Sequence, residues 1–233
     1  MKIEKSQALG RDIRRQSNAG DVMLTLAGQL PSPFVRKVCV VLAEKNIDFQ
    51  MRVDGPSRPD TRIPEYNPLG KIPVLLLDES KPIFDSRVIV EYVDGIKPEP
   101  RLIPDGFAER IHVRRWEALA DGTCDAAVAI IAENRRAENE RSPSFILKQV
   151  GKIERAIAEM AHSLGDSRYC NGSAISLADL AAGVPLAYID YRMPELSWRS
   201  EHASLARFAD VLQERPSFQR TRNDPSRLAP DPA

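Results

Sequence analysis

Along the first part of the chain, the spacing of apolar residues switches between short extended runs and helical periods. Residues 22–27 read as a strand ending at Gly28. After Pro31-Ser32-Pro33, Val35, Val38, Cys39 and Leu42 fall at i, i+3, i+4 and i+7, which predicts a helix closed by the polar Glu44 and Lys45 near Asn46. Ile47, Phe49, Met51 and Val53 alternate with polar neighbours, the pattern of a half-buried strand over residues 47–53. Residues 54–68, rich in Pro, Gly and charge, read as a loop with one short helix. Val74-Leu75-Leu76-Leu77 is continuously apolar, as in a strand buried on both faces. A turn at 78–81 and a short return strand at 82–84 follow. From Ser86 a helical face carries Val88, Ile89, Tyr92, Val93 and Ile96.

A βαβ unit followed by ββα is the order of a small thioredoxin-like α/β domain with a mixed four-stranded sheet, here residues 22–98. Residues 97–104 hold three prolines and read as a linker. Beyond them strand signals stop. Helical stretches at 108–138, 142–164, 176–191 and 201–214, with a short piece after Pro216, predict an all-α domain over residues 105–222. Ser176-Leu177-Ala178-Asp179 fits a capping box at the start of one of these helices, and Pro185 inside it predicts a kink. Trp116, Tyr188, Tyr191 and Trp198 read as helix core, with a second reading as walls of an apolar pocket. Residues 1–21 read as a disordered tail, with Met23 directly before the first strand as a candidate start of translation. The end of the chain from Asn223 reads as frayed.

Charge narrows the functions open to this fold. Basic and acidic residues balance at 33 each in 233 residues, which argues against a nucleic-acid partner. No run approaches the roughly 20 apolar residues of a membrane span, and the polar start, with Arg11, Arg14 and Arg15, does not form a secretory signal. Cys39, Cys124 and Cys170 form no C-x-x-C pair and point to a reducing compartment. His112, His162 and His202 are scattered, so no metal site is expected.

Three short motifs remain, each with a plain structural reading and a chemical one. Ser32-Pro33 is a helix N-cap with proline at the first helical position. The same helix start, with its free N–H groups and the Ser32 hydroxyl, would stabilise an anion such as a thiolate. In Asn67-Pro68-Leu69-Gly70-Lys71-Ile72-Pro73-Val74, Pro73 stands at the mouth of a buried strand. It reads either as an edge cap or as a cis-proline that turns the Ile72 backbone outward to pair with a bound peptide. Asp85-Ser86 is another N-cap, or a corner in which a helix start and the Ser86 hydroxyl receive a carboxylate while Asp85 faces an ammonium.

In their order and spacing these motifs resemble the cytosolic glutathione transferases of the serine type, over about Leu24 to Thr221. The strongest parts are Ser32-Pro33-Phe34-Val35-Arg36-Lys37-Val38, Asn67 to Val74, and Phe84-Asp85-Ser86 followed by Ile89-Val90-Glu91-Tyr92. The resemblance implies a cytoplasmic homodimeric enzyme of detoxification, with glutathione as co-substrate and a small electrophile as partner. Ser32 would hydrogen-bond the glutathione sulfur. Ile72, beside cis-Pro73, would pair with the cysteinyl unit, Lys71 would lie near the glycyl carboxylate, and Asp85 and Ser86 would hold the γ-glutamyl end. Many members carry Glu or Gln where this chain has Asp85. Two other readings stand beside it: a glutathione-dependent thiol or dehydroascorbate reductase, which needs a cysteine where Ser32 stands, and a non-catalytic glutathione-binding module.

Overall fold

The structure, a computed structural model, describes residues 23–222; the expected tail at 1–21, residue 22 and the chain from Asn223 lie outside them. Leu24, Leu26 and Ala27 are buried, and β1 (Leu24–Gly28) runs through the interior of a sheet. It pairs in parallel with β2 (Phe49–Val53) and antiparallel with β3 (Val74–Leu76), and β3 pairs antiparallel with β4 (Pro82–Ile83). The order β2-β1-β3-β4 is the expected mixed four-stranded sheet. Its parallel pair needs a crossover, which α1 (Pro33–Glu44) supplies. Gly28 ends β1 where α1 comes closest: a Cβ there would stand 2.6 Å from a Val35 methyl.

The remaining helices are α2 (Ile63–Tyr66), α3 (Ser86–Ile96), α4 (Phe107–Asn134), α5 (Pro143–Leu164), α6 (Leu177–Arg192), α7 (Trp198–Glu201), α8 (Ala203–Gln213) and α9 (Pro216–Arg220). One hydrophobic core runs from the sheet through α1 into α4, α5 and α6. A smaller cluster of Ala27, Ile63, Tyr66, Val74 and Leu76 forms on the other side of the sheet. Asp179 starts α6 by accepting the Ser176 N–H (2.8 Å) and the Cys170 N–H (2.7 Å), and the helix passes through Pro185 unbroken.

Several elements differ from the sequence pattern. α4 ends at Asn134, short of residue 138, and a single 3-10 turn follows at Glu138–Glu140. The stretch at 201–214 is divided between α7 and α8, with His202 as the joint. On α3 the buried face is Ile89, Val90 and Val93 together with Asp94, so Val88 turns outward and is 51% exposed. Asp94 is buried because it is occupied. It receives Lys45 Nζ at 2.5 Å and the N–H groups of Leu102 and Ile103 at 3.0 and 3.2 Å, while Lys45 also donates to the Pro100 carbonyl at 2.6 Å. Lys45, whose polarity ends the helical pattern, is therefore fully buried.

Helix α1 lies between the sheet and the helical half, and its polar positions are buried as well. Lys37 Nζ reaches Asp121 at 2.8 and 2.9 Å and Glu117 at 3.0 Å, both on α4. Arg36 donates to Gln213 Oε1 at 3.0 Å and to the Phe218 carbonyl at 3.4 Å. Glu44 holds Arg215 through bonds of 2.8 and 2.7 Å and accepts from the Ser217 hydroxyl at 2.5 Å. One face of α1 thus follows from apolar periodicity, and the other is tied across the domain junction by charge-assisted hydrogen bonds.

Candidate functional site

A cavity of about 540 Å³ opens where the sheet half meets α4 and α6. Ser32, Lys71, Ile72, Pro73, Asp85 and Ser86 all line it, although they come from three separate turns of the chain. Local folding explains each position. Ser32 caps α1: its backbone is extended (φ −76°, ψ 124°) and its hydroxyl oxygen accepts the Val35 N–H at 3.4 Å, leaving the hydroxyl hydrogen to donate elsewhere. Asn67 shapes the next turn by accepting the Leu69 N–H at 3.0 Å and donating from Nδ2 to the Lys71 carbonyl at 2.8 Å. Gly70 completes that turn at φ +63°, a region that favours glycine. Lys71 is exposed, Ile72 half-buried and Pro73 buried, and the Ile72–Pro73 bond is cis.

Asp85 caps α3, accepting the Arg87 N–H at 3.0 Å, and Ser86 is the first, buried residue of that helix. The N-termini of α1 and α3 therefore open onto the same cavity, and each favours negative charge. The opposite wall comes from α4 and α6. Asp121, Asp125, Val128 and Ala132 recur at i, i+4, i+7 and i+11 along α4, joined by Ile131 and, at i+14, by Arg135 as the C-cap of the helix, and α6 adds Tyr188 and Arg192. Asp121 is held from two directions, by Lys37 and by the Arg87 Nε at 2.7 Å. The Asp125 carboxyl lies above the usual carboxylate range, first because of burial and next because of the neighbouring Asp121.

Apart from Tyr188, the residues of this wall belong to no motif of the sequence: the α4 stripe has helical spacing, but a stripe mixing acids, small apolar groups and an arginine does not read as one face of anything. Of the four aromatics, Tyr188 lines the cavity; Trp116 and Trp198 are buried core, and Trp198 donates to Asp190 at 2.9 Å. Cys39 is buried within α1, and burial pushes its thiol up to about 12. Among the described residues no group of three or more His, Cys, Asp or Glu is placed to hold a metal ion, and no helix is long and apolar enough to cross a membrane.

A thioredoxin-like sheet half extended by a helical half, with a cavity between them framed by two helix starts, defines the class of this protein. The profile of the glutathione S-transferase N-terminal domain matches residues 31–96, and that of the glutathione S-transferase C-terminal domain matches residues 109–210. The chain belongs to the glutathione S-transferase family. It is 33% identical over 198 residues to the uncharacterized GST-like protein YibF of Escherichia coli K12, covering 85% of this chain and 98% of that one. A glutathione S-transferase structure from Methylobacillus flagellatus KT, with glutathione bound, is 42% identical with a TM-score of 0.83, covering 86% of this chain and 100% of that one. One from Methylobacterium radiotolerans, in complex with glutathione sulfonate, is 37% identical with a TM-score of 0.82, covering 89% and 100%.

Proposed function

We propose that this chain is a glutathione transferase that joins the glutathione thiolate to a small electrophile, with Ser32 as the catalytic residue and Lys71, Ile72, Pro73, Asp85 and Ser86 as the glutathione site. The observation that carries the reading is that these six residues line one cavity at which two helices of opposite halves of the sheet domain begin. The glutathione-bound neighbours support the ligand. A homodimer, a cytoplasmic location and a role in detoxification complete the proposal. So does the division into a glutathione-binding domain at 22–98 and a helical domain at 105–222.

The chemistry follows from the parts. A sulfur beside Ser32 receives the hydroxyl hydrogen, because the hydroxyl oxygen already accepts from Val35. The partial positive charge of the α1 start adds to this, and both favour thiolate over thiol. Asp85 and the start of α3 complement the ammonium and carboxylate of the γ-glutamyl end, which fixes the sulfur in place. The thiolate then attacks an electrophilic carbon held against Val128, Ile131 and Tyr188; the C–S bond forms as the leaving group departs with its electron pair, halide in the case of an aryl halide. Positioning and thiolate stabilisation are the protein's contribution. The reductase reading loses support from Cys39, since a buried thiol held up near 12 is neither accessible nor ionised.

The test combines retention on immobilised glutathione with conjugation of a generic aryl halide, and then Ser32→Ala. A hydrogen bond to a charged group contributes about 1.5–3 kcal/mol, so the thiol pKa in the complex is expected to rise by about one to two units. Thiolate absorbance against pH reads this directly. An unchanged pKa rejects the role of Ser32; retention without turnover across a broad electrophile panel favours a binding module.

A further inference from the structure

The helical wall of the cavity carries a single hydroxyl among the described residues, that of Tyr188. Tyr188 is 4% exposed on α6, which packs along α4, so its ring is held in place and the surface it keeps belongs to the cavity it lines. No acceptor among the described residues takes its proton. Trp116 Nε1 and Arg192 Nε are sealed in the interior without a partner; the Tyr188 oxygen is not one of these sealed atoms and stays open. Burial raises the phenol above its ordinary range, while Arg192, one turn further along α6, acts the other way. The hydroxyl therefore keeps its proton at neutral pH and stands as a donor. A buried phenol ordinarily finds a hydrogen-bond partner. Here the free position faces a cavity whose other wall carries Ser32, Ile72 and Ser86.

We propose that Tyr188 is a second catalytic residue, donating a hydrogen bond to an oxygen of the co-substrate, and that the co-substrate class is the α,β-unsaturated carbonyl compounds. The inference rests on the glutathione reading and adds the group that acts on the electrophile. In a displacement the electron pair departs with the leaving group. In a conjugate addition it stays on the substrate. The sulfur pair forms the C–S bond at the β-carbon, the C=C pair shifts toward the carbonyl carbon, and the carbonyl pair moves onto oxygen, giving an enolate. A fixed donor at that oxygen stabilises charge that exists only along the reaction. Water then protonates the α-carbon, returning the proton that the glutathione thiol released, and Tyr188 keeps its own. The charged oxygen lies at the far end of the conjugated system from the attacked carbon, which suits a donor on the wall opposite Ser32. An epoxide oxygen would stay beside the sulfur. Val128 and Ile131 receive the apolar substituents.

The test is Tyr188→Phe, which keeps the ring and its packing and removes the donor. Rates are measured with benzylideneacetone, an enone, and with benzyl chloride, which has no oxygen. The ratio of kcat/KM for the enone to that for benzyl chloride is expected to fall about tenfold or more, through kcat for the enone. The thiol pKa in the glutathione complex, which reports on Ser32, is expected not to move. A ratio that survives overturns the proposal, and an equal fall with both compounds does so by marking Tyr188 as structural. So does a wild-type chain that converts benzyl chloride and not the enone. If the variant does not fold, calorimetry on the wild-type chain decides. The ketone adduct of glutathione with benzylideneacetone is expected to bind about threefold or more tightly than S-(1-phenylbutyl)glutathione, and equal affinities overturn the proposal. Failure to bind glutathione, or to convert either compound, is a different result that removes the glutathione reading and this one with it.

Discussion

Lys37 joins the sheet half to the wall of the cavity, and its removal has a calculable cost. Its side chain is 2% exposed, and its ammonium lies 2.8 and 2.9 Å from the two oxygens of Asp121 and 3.0 Å from Glu117. Lys37→Met would leave both carboxylates buried without their shared cation. Removing one partner from a buried ion pair costs about 3–5 kcal/mol. Arg87 stays on Asp121, and Arg114, which also pairs with Glu91, stays on Glu117 at 2.6 Å. The carboxylates are therefore not isolated, and the loss is expected at the lower end, about 3 kcal/mol. With a urea dependence of about 3 kcal/mol per molar for a chain of this size, the midpoint falls by about 1 M. Urea unfolding at neutral pH, followed through the buried Trp116 and Trp198, measures it. The triple variant Lys37→Met/Glu117→Gln/Asp121→Asn removes the three buried charges together; Arg87 and Arg114 lose these partners but are 49% and 24% exposed and reach water, so it is expected to regain all but about 1 kcal/mol. A midpoint for Lys37→Met within about 0.3 M of wild type, or a triple variant weaker than the single one, refutes the reasoning.

Three further outcomes are expected. Asp85→Asn keeps an N-cap for α3 but loses the negative charge, so glutathione affinity is expected to fall about tenfold with little change in thermal midpoint; equal calorimetric affinity counts against the γ-glutamyl role. Cys39, with its thiol pushed up to about 12 by burial, is expected to resist alkylation at pH 8 until the chain unfolds, and rapid labelling of the native protein would contradict the structure. The Asp125 carboxyl is held above its ordinary 3.8 in the folded chain, so its ionisation works against folding above that pH. Asp125→Asn is therefore expected to raise stability at pH 7, with the gain vanishing as the pH falls below the ordinary aspartate range. A gain that instead grows toward acid would reverse the assignment.

The sheet half was legible because its elements carry single-purpose patterns. Val74 to Leu77 is apolar on both faces and became the buried β3 with Leu77 beyond it, and Val35, Val38, Cys39 and Leu42 mark the face of α1 turned to the core. The three site motifs were legible for a related reason. Caps and turns are local, so Ser32, Gly70 and Asp85 announce their geometry within a few residues. Burial of charge was not legible. Lys37, Lys45 and Asp94 look like surface residues until their partners arrive from 84, 49 and 8 residues away. The same distance hid the α4 wall, because Asp125 and Arg135 acquire meaning only once α1 and the Asn67–Gly70 turn stand opposite them. Val88 erred the other way, as an apolar residue that the α3 period places beside the buried face and not on it.

The bonds converging on Asp94 carry a dynamic consequence. Lys45 from α1, and the backbone N–H groups of Leu102 and Ile103 from the connection to α4, meet on one carboxylate, while the Leu102 carbonyl accepts the Leu177 N–H that starts α6. A hinge needs a few residues free to change their backbone angles, and here the connection between the halves is stitched to three helices at once. The halves are therefore expected to travel as one body, and the gap between them is a fixed dimension rather than a closing jaw. Discrimination among co-substrates then falls to side-chain identity on one stripe of α4 and the end of α6. New chemistry at this cavity would arise by replacing those residues, with the frame around them left as it stands.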